Sequence, residues 1–171
     1  MTLAYHFVGK TLRDGRPVPP DGEWLVHEGD VVMCESGLHA SRHPMDALQY
    51  APGATLCLVE CDGIVAEGHD KLACRRRRIV KRIDATELLW KASRQFALSV
   101  IQLWNAPVVV REFLETGDET KRDAAGDAAG AAAWAAAWAA VGAAAGDAAG
   151  AAAWAAQKEA FAKLVNEAFE Q

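Results

Sequence analysis

From Asp123 the chain runs in four-residue units, DAAG DAAG AAAW AAAW AAVG AAAG DAAG AAAW, with Gly or Trp at every fourth place. Alanine is the best helix former, so the repeat is expected to be helical. It offers no large side chains for a core of its own. Its five glycines (Gly126, Gly130, Gly142, Gly146 and Gly150) each cost about 1 kcal/mol relative to alanine. Such a helix needs a partner surface. A period of four overshoots the helical repeat by roughly 40° per unit, which favours a right-handed wrap. One straight helix would place Trp154 roughly 200° around the axis from Trp134. A hairpin removes that mismatch: Gly146 ends one helix, Asp147 caps the next, and Trp138 faces Trp154. The hairpin is favoured over one long helix. Trp134, Trp138 and Trp154 are then candidate partner-binding residues, facing either a protein partner or a second copy of the chain. The plainer reading is a spacer helix. Beyond the repeat, Phe161, Leu164, Val165 and Phe169 recur at helical spacing, for docking on the front of the chain or on another copy.

The repeat distorts the composition. Of 36 alanines, 22 fall in the 34 residues from Asp123 to Ala156, and the remainder reads as an ordinary globular mixture. The expected division is an α+β domain over residues 1–117 and an Ala-rich helical region over 118–171. Residues 1–122 hold 16 basic and 17 acidic side chains, while the rest holds 2 basic and 6 acidic. That balance argues against a general nucleic-acid binder. Asp127 and Asp147 interrupt the alanine block, so no membrane span is expected. The four cysteines form no CxxC pair, and the N-terminal residues contain no apolar run of signal-peptide length. A cytoplasmic protein with reduced thiols is expected.

Residues 3–7 read as a first strand, followed by a loop marked by Gly15, Pro17, Pro19, Pro20 and Gly22. Trp24–Val26 and Val31–Cys34 flank Gly29-Asp30 as the arms of a hairpin. His43 to Ala51 reads as a short helix, with Pro44 at its first position and either His43 or Ser41 as its cap. Residues 54–61 form the clearest strand, with Cys57, Val59 and Cys61 on one face, and Asp62-Gly63 signals its end. A charged strand over 71–82 follows. Asp84-Ala85-Thr86-Glu87 resembles a capping box for a helix reaching about Trp104. Pro107 opens another helix, which Gly117 ends. The fold class is α+β: a small, mostly antiparallel sheet with packed helices.

Few residues carry a chemical signature. Cys34, His39 and His43 have metal-ligand types at loose spacing, while Cys57 and Cys61 lie roughly 13 Å apart along a strand and cannot share an ion. No metal is expected. Arg75, Arg76, Arg77 and Arg78 are phosphate-binding candidates. A strand would send alternate members to opposite faces, and the plainer reading is a charged, solvated edge strand. No P-loop, dinucleotide fingerprint, nucleophile elbow or HExxH motif occurs.

Several strings together resemble a family of small uncharacterised proteins found in phages and prophages. They are Ala4-Tyr5-His6-Phe7, Met33 to Ser41 (MCESGLHAS), His43 to Tyr50 (HPMDALQY), Cys57 to Gly63 (CLVECDG) and Lys71-Leu72-Ala73-Cys74. The resemblance covers about residues 3–83 and implies a phage or mobile-element accessory protein without assigning an activity. A fainter similarity is to ADP-ribosyltransferases, on Tyr5-His6, Gly37-Leu38-His39, Ala47 to Tyr50-Ala51 and Leu56 to Glu60. That similarity implies NAD as cofactor, with His6 holding its ribose and Tyr50 lining the nicotinamide pocket. The pattern departs at His39, where a Tyr is usual, and at Phe7-Val8, and no late catalytic Glu motif follows.

The leading expectation is a non-enzymatic accessory binding protein without a cofactor, directed at a host protein and oligomeric through its Ala-rich region. The alternatives are an NAD-binding, ADP-ribosyltransferase-like enzyme and a nucleotide or nucleic-acid binder acting through Arg75–Arg78.

Overall fold

The computed structural model describes residues 1–99, 101–103, 105–139 and 147–171. The chain divides into two compact units, one formed by Met1–Leu88 with Lys158–Gln171 and the other by Leu89–Gln157.

The first unit is built on an antiparallel sheet of five strands: β1 (Thr2–Val8), β2 (Trp24–Val26), β3 (Leu38–Ala40), β4 (Thr55–Glu67) and β5 (Leu72–Asp84). The α+β class expected from the pattern is what forms. β1 pairs with β4, and β4 with β5. The outer edge of β5 is shared by two short strands, β3 against Leu72–Cys74 and β2 against Arg76–Arg78. β5 is therefore an interior strand, not the edge strand that its charge suggested.

Two further expectations fail for local reasons. Val31–Cys34 is not a strand and makes no hairpin with β2. Cys34 adopts a left-handed φ of 70°, and the Ser36 hydroxyl binds the Val32 N–H (3.0 Å) and the Asp30 carbonyl (2.7 Å), so the segment closes as a turn. The Asp62-Gly63 pair does not end β4. Gly63 sits within the ladder at φ 62°, a conformation in which glycine is free of strain.

Immediately after β3, Ser41 exchanges both backbone hydrogen bonds with Tyr5 of β1, at 2.7 and 2.9 Å. The order β1–β4–β5–β3 thus returns to β1, and the sheet curls on itself. Small side chains suit so tight a wall. The inner cluster contains Ala4, Ala40, Cys57, Cys61 and Cys74 beside Val8, Val59, Leu72 and Ile79, all buried.

The outer face takes two helices. α1 (Pro44–Leu48) packs on β1 and is capped by His43, whose Nδ1 accepts the Met45 N–H at 3.2 Å. The end of α5 (Asp147–Glu170) also joins this unit, with Phe161 and Val165 fully buried. The Tyr5 hydroxyl donates to Asn166 Oδ1 (2.9 Å), and Lys81 Nζ donates to the Phe169 carbonyl (2.5 Å).

The second unit contains most of α2 (Thr86–Ser99), α3 (Val108–Thr116), α4 (Arg122–Ala139) and the start of α5. α2 stops at Ser99 instead of continuing to Trp104, and residues 101–103 form a tighter turn. Arg122 lies 5.1 Å from the Trp90 ring and 5.7 Å from the Phe113 ring, and it pairs with Glu119. The turn expected at Gly146-Asp147 falls at the limit of the described residues, and residues 140–146 lie outside them.

Candidate functional site

The inner face of the sheet carries polar side chains as well as apolar ones. His6 stands opposite Cys57, and Thr2 stands opposite Cys61, whose own partner on β5 is Arg77. Strand alternation turns His6, Cys57 and Cys61 to the same side as Ala4 and Val59. The neighbour of Arg77 two residues on, Ile79, marks the inward direction on β5.

Arg77 is 7% exposed, and one of its Nη atoms donates to the His39 carbonyl. Among the described residues that is its one hydrogen bond, and no carboxylate pairs with it. The acidic groups whose charge bears on it are the thiols of Cys61, Cys74 and Cys57. They do not shift together: Cys57 and Cys61 are raised, whereas the Cys74 thiol is lowered, first by its hydrogen bond with Cys61. Burial pushes the Cys57 thiol up to about 11. Cys61 is raised by its hydrogen bond to Cys74 and then by burial, while the Cys74 thiol donates to the Leu38 carbonyl at 3.3 Å. Arginine remains charged in any such setting. The inner face therefore holds a largely buried guanidinium with no carboxylate partner among the described residues.

Two imidazoles lie near it. Burial holds the His6 pKa well below its ordinary value, and Arg77 and then His39 add to the effect. His6 keeps partial solvent access, and its ring nitrogens have no hydrogen-bond partner among the described residues. His39 is also lowered, by burial first and then by Lys71 and Arg77. Both of its nitrogens are engaged: Nε2 accepts the Cys34 N–H at 3.2 Å, and the ring bonds to the Gly37 backbone. That arrangement fixes the neutral tautomer with the proton on Nδ1. His39 is thus a brace for the turn at residues 34–39.

The other candidates scatter. Arg75 donates to the Gly29 carbonyl at 2.7 Å. Arg76 and Arg78 lie 4.5 and 4.8 Å from the Trp24 ring and pair with Asp62 (3.4 Å) and Glu60 (2.5 Å). The four arginines do not converge; Arg77 alone is buried, on the inner face of the sheet. Tyr50 is exposed and donates to Asp70, while Lys71 Nζ lies 4.5 Å over its ring. Lys71 also reaches the Cys34 thiol, which with Tyr50 raises the lysine pKa. Tyr50 therefore belongs to a surface group with Asp70, Lys71 and Cys34, and its ring face is covered rather than open to a nicotinamide.

Cys34, His39 and His43 do not gather around a common point, since His43 is occupied in capping α1. No set of three His, Cys, Asp or Glu side chains suited to a metal ion occurs among the described residues. None of their helices is long and apolar enough to cross a membrane. Trp154 is exposed on α5, at 47%. Trp134 and Trp138 belong to α4, and the surroundings of their side chains lie outside the described residues. A shallow groove of about 450 Å³ under Pro17, Val18 and Leu25 includes no candidate residue.

The sequence pointed to His6 and to the arginine run but did not separate Arg77 from its neighbours. The parity of Ile79 was the available signal. Lys71 entered only as the start of the charged strand and as part of a family string.

A family model described as a domain of unknown function (DUF7666) matches residues 2–91, which span the whole sheet. Comparison with curated proteins and with solved structures finds no match.

Proposed function

The chain belongs to DUF7666, a family of domains of unknown function, and from that premise we propose that its sheet unit binds a small oxyanion, with Arg77 as the anchoring group. The observation that carries this reading is a buried guanidinium without a carboxylate partner. An unpaired charge in a protein interior costs several kcal/mol, and such charges are ordinarily matched by an opposite one. A planar guanidinium recognises carboxylate or phosphate through paired N–H donors. The reading narrows nucleotide binding from the whole run Arg75–Arg78 to a single residue. It accommodates NAD through its pyrophosphate, and it makes no claim of catalysis.

Calorimetric titration of the full chain with inorganic pyrophosphate and with NAD tests it, beside Arg77→Lys and Arg77→Met. Binding that weakens more than tenfold in Arg77→Lys, with the circular dichroism unchanged, supports the site. Absence of binding by both probes, together with a raised melting temperature in Arg77→Met, overturns it and leaves Arg77 as a tolerated buried charge.

A second reading is supported by the exposed Trp154 on an alanine-rich helix. It is an accessory protein of a phage or mobile element that acts in the host cytoplasm, binds a host protein and self-associates through the repeat. Exposed tryptophans are frequent anchors of interfaces. Light scattering checks the self-association. A mass above the monomer that Trp154→Glu returns to the monomer supports it, and a monomer at all concentrations overturns it.

A further inference from the structure

We propose that the outer edge of β2 is a docking site for an extended segment of a partner protein, which joins the sheet as a further antiparallel strand and carries an aliphatic residue flanked by basic ones. The inference does not depend on an anion at Arg77.

Backbone geometry carries it. β2 pairs with β5 through Trp24↔Arg78, Leu25↔Arg77 and Val26↔Arg76. Just beyond that ladder the His27 N–H donates to the Arg75 carbonyl at 2.8 Å. Bonded positions alternate along an antiparallel pair, so Leu25 also bonds to β5, whereas the N–H and C=O groups of Trp24 and Val26 point the other way. These groups have no hydrogen-bond partner among the described residues. Val26 is also exposed. The edge thus presents the alternating donors and acceptors that an extended chain completes.

The side chains decide what that chain carries. Residues opposite one another on adjacent strands share a face. The incoming residue opposite Leu25 therefore points to the face of Leu25, where a shallow groove of about 450 Å³ is lined by Leu12, Pro17, Val18 and Leu25. Val18 packs on the core cluster, so the groove has a fixed floor. An aliphatic side chain suits that position. Charge sets the flanks. Glu23 on the rim and Glu28 beyond the other end of β2 are exposed, and their carboxylates have no partner among the described residues. Arg16, the basic residue on the rim, is already held by Asp14 at 2.7 and 2.9 Å. A lysine or arginine on either side of the aliphatic residue is therefore matched, and an acidic one is opposed. A second copy of β2 carries these glutamates itself and does not supply the basic flanks.

The probe is the peptide Ser-Lys-Thr-Leu-Thr-Lys-Ser, blocked at both ends and titrated into the isotope-labelled full chain. The expected result is saturable amide shifts at Trp24 and Val26, with slower hydrogen exchange at both. Methylating the two threonine nitrogens, which face β2, is expected to weaken binding at least about tenfold; methylating the leucine nitrogen, which faces away, leaves it within about threefold. Val26→Pro removes an outward N–H, leaves the ladder with β5 intact and abolishes binding. Glu23→Lys weakens this peptide and strengthens the analogue with glutamate in place of lysine. No shift at about 1 mM peptide, or binding indifferent to which nitrogen is methylated, overturns the proposal. A chain that dimerises alone, and that Val26→Pro returns to the monomer, also overturns it and makes the occupant a second copy.

Discussion

Lys158 Nζ lies 2.8 and 2.9 Å from the two carboxylate oxygens of Asp46, a residue 112 positions earlier in the chain. Asp46 is largely buried in the first turn of α1, so this pair clamps the end of α5 to the sheet unit beside Phe161 and Val165. Lys158→Met removes the partner of a buried carboxylate and is expected to destabilise the unit by about 1–3 kcal/mol. Urea unfolding measures it. Asp46→Asn together with Lys158→Met is expected to recover part of the loss, because no unmatched charge then remains.

Gly37 has φ 95°, and a Cβ there would stand 2.7 Å from Cγ1 of Val31. Gly37→Ala combines backbone strain with a clash in the turn that His39 braces. The expected cost is about 2–3 kcal/mol. Thermal unfolding checks this, and the Cys34 thiol should also change its alkylation rate as the turn loosens.

His6, His39 and His43 all have pKa values held below the ordinary 6.5, each by burial first. Their neutral forms belong to the folded state. The unfolded chain therefore binds more protons as pH falls through about 6.5, and stability declines through that range toward the lower folded-state values. Above that range these three groups contribute no pH dependence. Urea midpoints at pH 7.5, 6.5 and 5.5 are expected to fall at each step, and by more over the second, because half of each unfolded imidazole is already protonated at pH 6.5. His43→Asn, which keeps a capping acceptor without titrating, is expected to lessen the decline.

The guanidinium groups of Arg76 and Arg78 both lie on the Trp24 ring, at 4.5 and 4.8 Å. β2 has three residues, and this stack is its main attachment beyond its ladder with β5. Trp24→Leu retains apolar area but removes both cation–π contacts, at an expected cost of about 1–2 kcal/mol. Hydrogen exchange at Leu25 and Val26 is expected to quicken more than exchange at Val59.

Elements governed by neighbours in sequence were legible from the residues alone. The spacing of apolar residues gave β1 and β4, and Pro44 with His43 gave the start of α1. Pro107 and Gly117 bounded α3, Gly117 closing it at φ 68°. What was not legible depended on distant pairing. β3 is three residues long and carries no pattern of its own; it exists because β5 offers an edge to it. The inward course of Arg77 follows from strand parity, but the parity does not reveal which face is enclosed. That depends on Ser41 meeting Tyr5, a contact between positions 36 residues apart. In the same way Lys71, Tyr50 and Cys34 come together only when β3 and α1 are in place.

The return of α5 to the first unit changes the standing of the alanine repeat. Residues 89–157 begin and end on the same compact body, so the tetrads form an insertion rather than an appendage. Lengthening a segment whose two ends are already anchored adds only a small closure entropy, about 0.6 kcal/mol for each doubling. Slippage of the genetic unit that adds or removes whole tetrads is thus tolerable to the sheet. A premature stop within the repeat is not, because it deletes Phe161 and Val165 and opens the outer face of the unit that carries Arg77.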